Sequence, residues 1–231
     1  MLSLAVLAAA GCTRSLDVKY AGGFDQASGV KTTSLKKVAI LPFNDERAWV
    51  DKADEQSRSY IAKQGVWKFG LTFEGKEYTP VSGLLQTLFV SEFKAAGYDA
   101  VASASPSSDV AYNLSGRVVN FEFENETGLV TVTSRRVVTL ALSLTDSTGK
   151  SVLDNQLFSE NDRENEGMGV MHSTNADKLM NRALKKVVTD VLIRLKPQLA
   201  SRDNIDFRVT LNGIALHQDS YGAYQLAHNI R

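Results

Sequence analysis

Asp109-Val110-Ala111-Tyr112-Asn113-Leu114-Ser115-Gly116-Arg117-Val118-Val119-Asn120-Phe121-Glu122-Phe123-Glu124 is the stretch that decides the fold of this chain. Its apolar positions step by two through Val110, Tyr112 and Leu114, then resume on the opposite parity at Val119, Phe121 and Phe123. A period of two is the signature of a strand with one buried face. A change of parity within it needs one extra residue, so a β-bulge is expected near Gly116 or Arg117. The next segment keeps a single phase through Val130, Val132, Val138, Leu140, Leu142 and Leu144, with Ser134 and Arg136 interrupting the apolar face. Asp146-Ser147-Thr148-Gly149-Lys150 supplies a turn into a third strand, Ser151 to Ser159, which completes an antiparallel meander. Arg135 and Arg136 adjoin in mid-strand, so one must point to each face. The inward one needs a carboxylate or an edge position, and an edge is the simpler expectation.

Upstream, Lys37-Val38-Ala39-Ile40-Leu41-Pro42-Phe43 is a short apolar run ending at proline, the pattern of a strand buried on both faces. Asn44 to Lys63 is charged and reads as irregular, after which Trp67, Phe69, Leu71 and Phe73 alternate as one strand or a hairpin. The 44–78 segment is therefore a candidate insertion. Thr79-Pro80 followed by Val81, Leu84, Leu85, Leu88, Phe89 and Phe93, and closed by Gly97, predicts an amphipathic helix with proline at its first position. Tyr98 to Ala102 reads as a returning strand and Ser103 to Ser108 as a loop.

Downstream, Glu160 to Ser173 is polar around Gly167-Met168-Gly169 and reads as a mobile connection. Thr174 with Asp177 makes a capping-box-like start to a second helix. Its stripe runs Ala176, Met180, Ala183, Leu184, Val187, Val188, Val191 and Leu195, with Pro197 as its expected end. Beyond it, alternation over Asn204 to Asn212 predicts a strand, and Ser220 to Arg231 a short tail. This order implies an α+β fold, an antiparallel or mixed sheet with two amphipathic helices packed on one face.

The N-terminal run Leu2-Ser3-Leu4-Ala5-Val6-Leu7-Ala8-Ala9-Ala10-Gly11 is apolar and ends at Cys12, the chain's one cysteine. It is too short to cross a bilayer as a helix and has the character of a secretory signal. No Lys or Arg precedes it, which points to a true start upstream. Ala9-Ala10-Gly11-Cys12 resembles the lipobox of bacterial lipoproteins. That resemblance implies cleavage between Gly11 and Cys12, followed by transfer of a diacylglycerol and an N-terminal acyl chain to Cys12. Several acyl chains make a lasting anchor where one would be marginal. By resemblance to lipoprotein sorting signals, Thr13 rather than Asp after the cysteine implies the outer membrane, with the body facing the periplasm. The expected division is a signal at 1–11, a flexible leader at 12–34, the α+β domain at 35–200, and a C-terminal strand and tail at 201–231.

Lys and Arg total 26 and Asp and Glu total 26, so no net field draws the chain to nucleic acid. With Cys12 acylated no thiol remains for a disulfide, and core packing alone holds the fold. His172, His217 and His228 lack the spacing of a zinc site, and no phosphate-binding loop or nucleophile elbow is present. Neither a metal nor a cofactor is expected, nor an enzyme. Asp45, Glu46, Asp51, Asp54 and Glu55 crowd one loop; their spacing fits no known calcium loop, and a solvated loop is the simpler reading. Asp45 with Arg47 reads as either a structural ion pair or a binding pair.

The lipobox, the polar leader, the strand followed by Asn44-Asp45-Glu46-Arg47, the Leu84 to Gly97 helix, the long hairpin and the Thr174 to Leu195 helix together resemble the YajG-type family of bacterial lipoproteins, and more distantly the curli-secretion lipoprotein CsgG. The resemblance spans about Lys37 to Leu195 and implies an outer-membrane lipoprotein without known catalysis. Trp67, Phe69, Phe73 and Tyr78 lie outside it. Aromatics anchor protein interfaces, so these four are candidate partner-binding residues; a second small sheet packing them inward is the other reading. The expected role is a non-enzymatic envelope module that binds another envelope protein or a copy of itself, with carriage of an apolar ligand such as lipid as the alternative.

Overall fold

The computed structural model describes residues 13–18, 36–64, 67–127, 131–167, 173–203, 208–211, 214–218 and 224–226. The signal segment and Cys12 lie outside these residues. The strands are β1 (Thr13–Asp17), β2 (Lys37–Ile40), β3 (Asn44–Asp45), β4 (Tyr60–Gln64), β5 (Trp67–Thr72), β6 (Asp99–Ala102), β7 (Tyr112–Thr127), β8 (Thr131–Asp146), β9 (Ser151–Gly167), β10 (Arg208–Leu211), β11 (Ile214–Gln218) and β12 (Tyr224–Leu226). The helices are α1 (Val81–Ala95) and α2 (Ser173–Asp203).

The main sheet has the order β6-β2-β7-β8-β9, with β3 continuing beside β7. β2 runs parallel to both β6 and β7, whereas β7, β8 and β9 form the antiparallel meander. The sheet is thus mixed, and the fold is α+β. Parallel pairing at β2 explains its sequence: Val38, Ala39 and Ile40 are all fully buried, as expected of a strand covered on both faces.

α1 and α2 contribute to one hydrophobic core with the even-numbered residues of β8 from Val138 to Leu144. Leu84, Leu85, Leu88, Phe89 and Phe93 form the buried stripe of α1, and Phe89 packs against Phe43 with ring centroids 5.2 Å apart. Each such side chain contributes roughly 1.5–3 kcal/mol by leaving water. Pro80 is the residue before the helix rather than its first turn: it sits in extended backbone, and its carbonyl accepts from Leu84 N at 3.1 Å. At the other end Gly97, at φ +93°, donates to Lys94 O, while Tyr98 N reaches Phe93 O and their rings stack at 5.6 Å. This is a Schellman stop with its hydrophobic contact.

The bulge lies later than its expected position near Gly116 or Arg117. The register of β7 against β8 shifts between Val118 and Asn120, leaving Val119 41% exposed. Gly116 remains in the first phase because a Cβ there would stand 2.3 Å from the Phe43 ring; the glycine replaces a side chain on the buried face.

Four other expectations are corrected. The leader is not irregular at its start, for β1 pairs in parallel with β5. The charged 44–63 stretch contains β3 and β4, and β4 joins β5 and β1 in a separate three-stranded sheet. β9 runs on to Gly167 instead of yielding to a loop at Glu160, and residues 168–172 lie outside the described ones. α2 continues through Pro197 to Asp203: a proline deletes one backbone donor but leaves the following turns free to form. Within the expected tail, β12 pairs with β11 in a small antiparallel sheet with β10.

Candidate functional site

The charges named from the sequence divide into buried structural pairs and one open sheet face. Asp45 closes β3 with its side chain turned toward the core, and Arg47 meets it with Nη2 to Oδ2 at 2.6 Å and Nε to Oδ1 at 2.9 Å. Arg47 is 1% exposed. Its remaining donors reach the carbonyls of Tyr60, Arg58 (2.9 Å) and Phe121 (3.4 Å), and its guanidinium lies 5.3 Å from the Trp49 ring centroid. A bidentate guanidinium with every direction answered is a structural clamp, tying the 45–60 loop to β4 and β7.

The remaining acids of that loop make local turns. Asp51 Oδ1 accepts from Ala53 N, and Asp54 Oδ1 from Gln56 N. Glu46 instead pairs with Arg117 at 2.6 Å. Among the described residues no group of His, Cys, Asp and Glu could hold a metal ion. His217 lies in β11; His172 and His228 lie outside the described residues.

Arg136 overturns the edge expectation, since β8 runs between β7 and β9. It points inward, 1% exposed, and its row places it between Phe123 and Asp162. The guanidinium stacks 4.5 Å from the Phe123 centroid and donates to Arg135 O at 2.8 Å. Asp162 in turn binds Arg182 of α2, with Nη2 to Oδ1 at 2.9 Å, and Lys186 of α2 binds Glu160 at 2.8 Å. Burial pushes the Asp162 carboxyl up, but the hydrogen bond and charge of Arg182, with the charge of Lys186, outweigh it and hold the group below its usual value. Lys186 is raised by its hydrogen bond to Glu160. The polar end of β9 is strand through its continuous ladder with β8, and α2 places cations against its acids.

Of the four aromatic candidates, Trp67 and Phe69 lie in β5, and Phe73 and Tyr78 in the segment that follows it. Phe69 is half-buried and meets Phe123 edge-on at 5.1 Å, and Phe73 packs at the core margin. Tyr78, at φ +55°, fits its ring against Gly70, where a Cβ would stand 2.6 Å away. Trp67 opens β5, and its side chain is outside those described.

What the sequence did not single out is the sheet face turned away from the helices. Its rows run Arg117–Ala141–Leu157, Asn120–Thr139–Ser159, Glu122–Val137–Asn161 and Glu124–Arg135–Arg163 across β7, β8 and β9. Leu157 on β9 is 60% exposed, and Val119 at the bulge of β7, on the far side of β8, is 41% exposed. Arg117 bonds Glu46 on one side and Asn155 of β9 on the other. Further along, Glu126, Arg135, Asn161 and Arg163 line an open cleft of about 390 Å³. The face is thus polar and charged apart from the exposed Leu157 and Val119, and β9 forms its outer edge. The signal was present: Val119 and Leu157 are the apolar residues off phase with their strands.

No helix among the described residues is long and apolar enough to cross a membrane. No protein-family model matches the sequence, and neither does any curated protein. Among solved structures, the fold is similar to that of protein XCC0632 from Xanthomonas campestris, a DUF330 protein, with a TM-score of 0.52 at 11% identity over 84% of this chain and 99% of that one. A minor lipoprotein from Acinetobacter baumannii (TM-score 0.34, 15% identity, 74% of this chain and 96% of that one) and rare lipoprotein B from Shewanella oneidensis (0.29, 12%, 71% and 96%) are also similar. The likeness to XCC0632 is one of fold.

Proposed function

We propose that this chain is an envelope lipoprotein, anchored at the outer membrane through acylated Cys12, whose body is a non-enzymatic docking module for another envelope protein. Kinship with the YajG-type lipoproteins belongs to the same proposal. The observation that carries the docking role is the pair of exposed apolar side chains on the meander, Leu157 on the seventeen-residue edge strand β9 and Val119 at the bulge of β7. Exposed apolar side chains next to an unpaired edge are what a partner covers. The cleft at Glu126, Arg135, Asn161 and Arg163 is lined by charged and amide side chains and lends no support to the alternative of an apolar ligand.

Two experiments test this reading. A photoreactive residue at Leu157 or Val119, activated in cells, is expected to capture one discrete partner. The same probe at Thr87 on the outer side of α1 captures none, and equal capture at all three positions sinks the docking face. Cys12→Ser is expected to move the protein out of the membrane fraction, and unchanged fractionation sinks the anchor.

A further inference from the structure

The open face of the meander sorts its charges by strand. Glu122, Glu124 and Glu126 stand on β7, Arg163 stands on β9, and Arg135 lies between them on β8, with Glu124, Arg135 and Arg163 sharing one row. Within the chain these charges are loosely matched. Arg135 reaches Glu124 at 3.4 Å and Arg163 reaches Glu126 at 3.6 Å, and the side chains of Arg163 and Glu126 remain 63% and 66% exposed. Ion pairs so long and so wet contribute little, so both signs stay available to a partner. The exposed apolar side chains follow the same division, Val119 on β7 and Leu157 on β9. They lie at nearly the same level along the strands, because Asn120, next to Val119, shares a row with Ser159. On β8 between them stand Val137 and Thr139, short half-buried side chains that let a second layer approach.

A face with acids along one flank and cations along the other is complementary to itself. A two-fold axis lying against it and parallel to β8 places β7 of one copy over β9 of the other, with every row kept at its level. Glu124 then faces Arg163 of the second copy and Val119 faces Leu157, and each contact occurs twice. An axis at right angles to the strands sets β7 on β7, and so glutamate on glutamate. Aligned stacking, with strand directions within about 30° of each other, is one of the two ways in which twisted sheets pack face to face. Arg135, nearest the axis, meets its own copy; this is the one like-charge contact, and Glu124 in the same row offsets it. We propose that the protein docked on this face is a second copy of the chain, related by a two-fold axis along β8, with Glu124 against Arg163 and Val119 against Leu157. The proposal rests on the docking reading of the face and names its occupant.

Charge reversal in trans tests it, on the full-length protein in detergent. Glu124→Arg sets arginine against Arg163, and Arg163→Glu sets glutamate against Glu124, each at both symmetry-related contacts. Either variant alone is expected to lose self-association roughly tenfold or more by analytical ultracentrifugation, with circular dichroism unchanged. Mixed in equal amounts, the two variants again oppose unlike charges, and a heterodimer of near-parent affinity is expected. A photoreactive residue at Thr139, beside the axis, is expected to give a crosslinked band of twice the chain's mass in cells. A parent that stays monomeric, or single variants whose lost association does not return in the mixture, overturns the two-fold dimer. Capture of a different protein from Leu157 and Val119, with no doubled band, overturns the second copy and leaves the docking face standing; no capture from either position overturns both.

Discussion

Asp45 and Arg47 stand two residues apart and close a bidentate ion pair at 2.6 and 2.9 Å inside the protein. The pair is buried, and the guanidinium also caps backbone carbonyls of β4 and β7. Asp45→Ala leaves that cation without its counter-charge, at an expected cost of about 3–5 kcal/mol. Urea denaturation checks this as a lowered midpoint. A loss within the range of surface substitutions would mean that the clamp is ornamental.

Asp162 and Arg182 give the stability an acid limb. The folded carboxyl lies below its ordinary 3.8, so its contribution is complete above that value and fades as pH falls through the folded one. Arg182 is half exposed, and the pair is therefore worth only about 0.2–1 kcal/mol. The expected outcome is that Arg182→Gln is less stable than the parent near neutrality. The two curves converge below about pH 4. A difference that persists unchanged into acid would assign the effect to packing.

Gly116→Ala forces a methyl to within 2.3 Å of the Phe43 ring. Overpacking of this kind costs about 1–3 kcal/mol. Phe43→Leu removes the obstructing ring, so the double variant is expected to lose less than the sum of the two single losses. Thermal melts of all four proteins decide it.

Leu157→Lys alters only the open face, where the side chain is 60% exposed. Stability should move by no more than about 0.5 kcal/mol, because no buried contact is lost. Partner capture from a photoreactive residue at Val119 should drop sharply in this background. Undiminished capture would remove the meander face from consideration.

The elements that apolar spacing could specify were legible: the twice-buried strand at Val38–Ile40, the α1 stripe and the phase of β8. Asp45 with Arg47 was also readable as a structural pair, since two opposite charges beside a core strand have few other uses. The misreadings share one physical origin. Glu160, Asp162 and Glu164 look like a loop because their partners, the β8 ladder and the cations Arg182 and Lys186, lie some twenty or more residues away, and no local pattern encodes that. Thr13–Asp17 looks like a tether because its partner β5 is over fifty positions away. That Phe69 meets Phe123 and Phe73 the core margin was not legible, because the sheet that presents them is assembled from distant strands. The open face escaped notice because half-exposed strands advertise their buried side.

The insertion of Val119 lets a single strand serve two neighbours of opposite demand. Before it, Tyr112, Leu114, Gly116 and Val118 answer the helices; after it, Phe121 and Phe123 answer the small sheet and Arg136. Excising that one residue would rotate the distal half of the hairpin by a face, expelling two phenylalanines into water and drawing Glu122 and Glu124 inward. The packing of the distal hairpin, and with it the support for the small sheet that holds Thr13–Asp17, depends on a single irregular step in the ladder between β7 and β8.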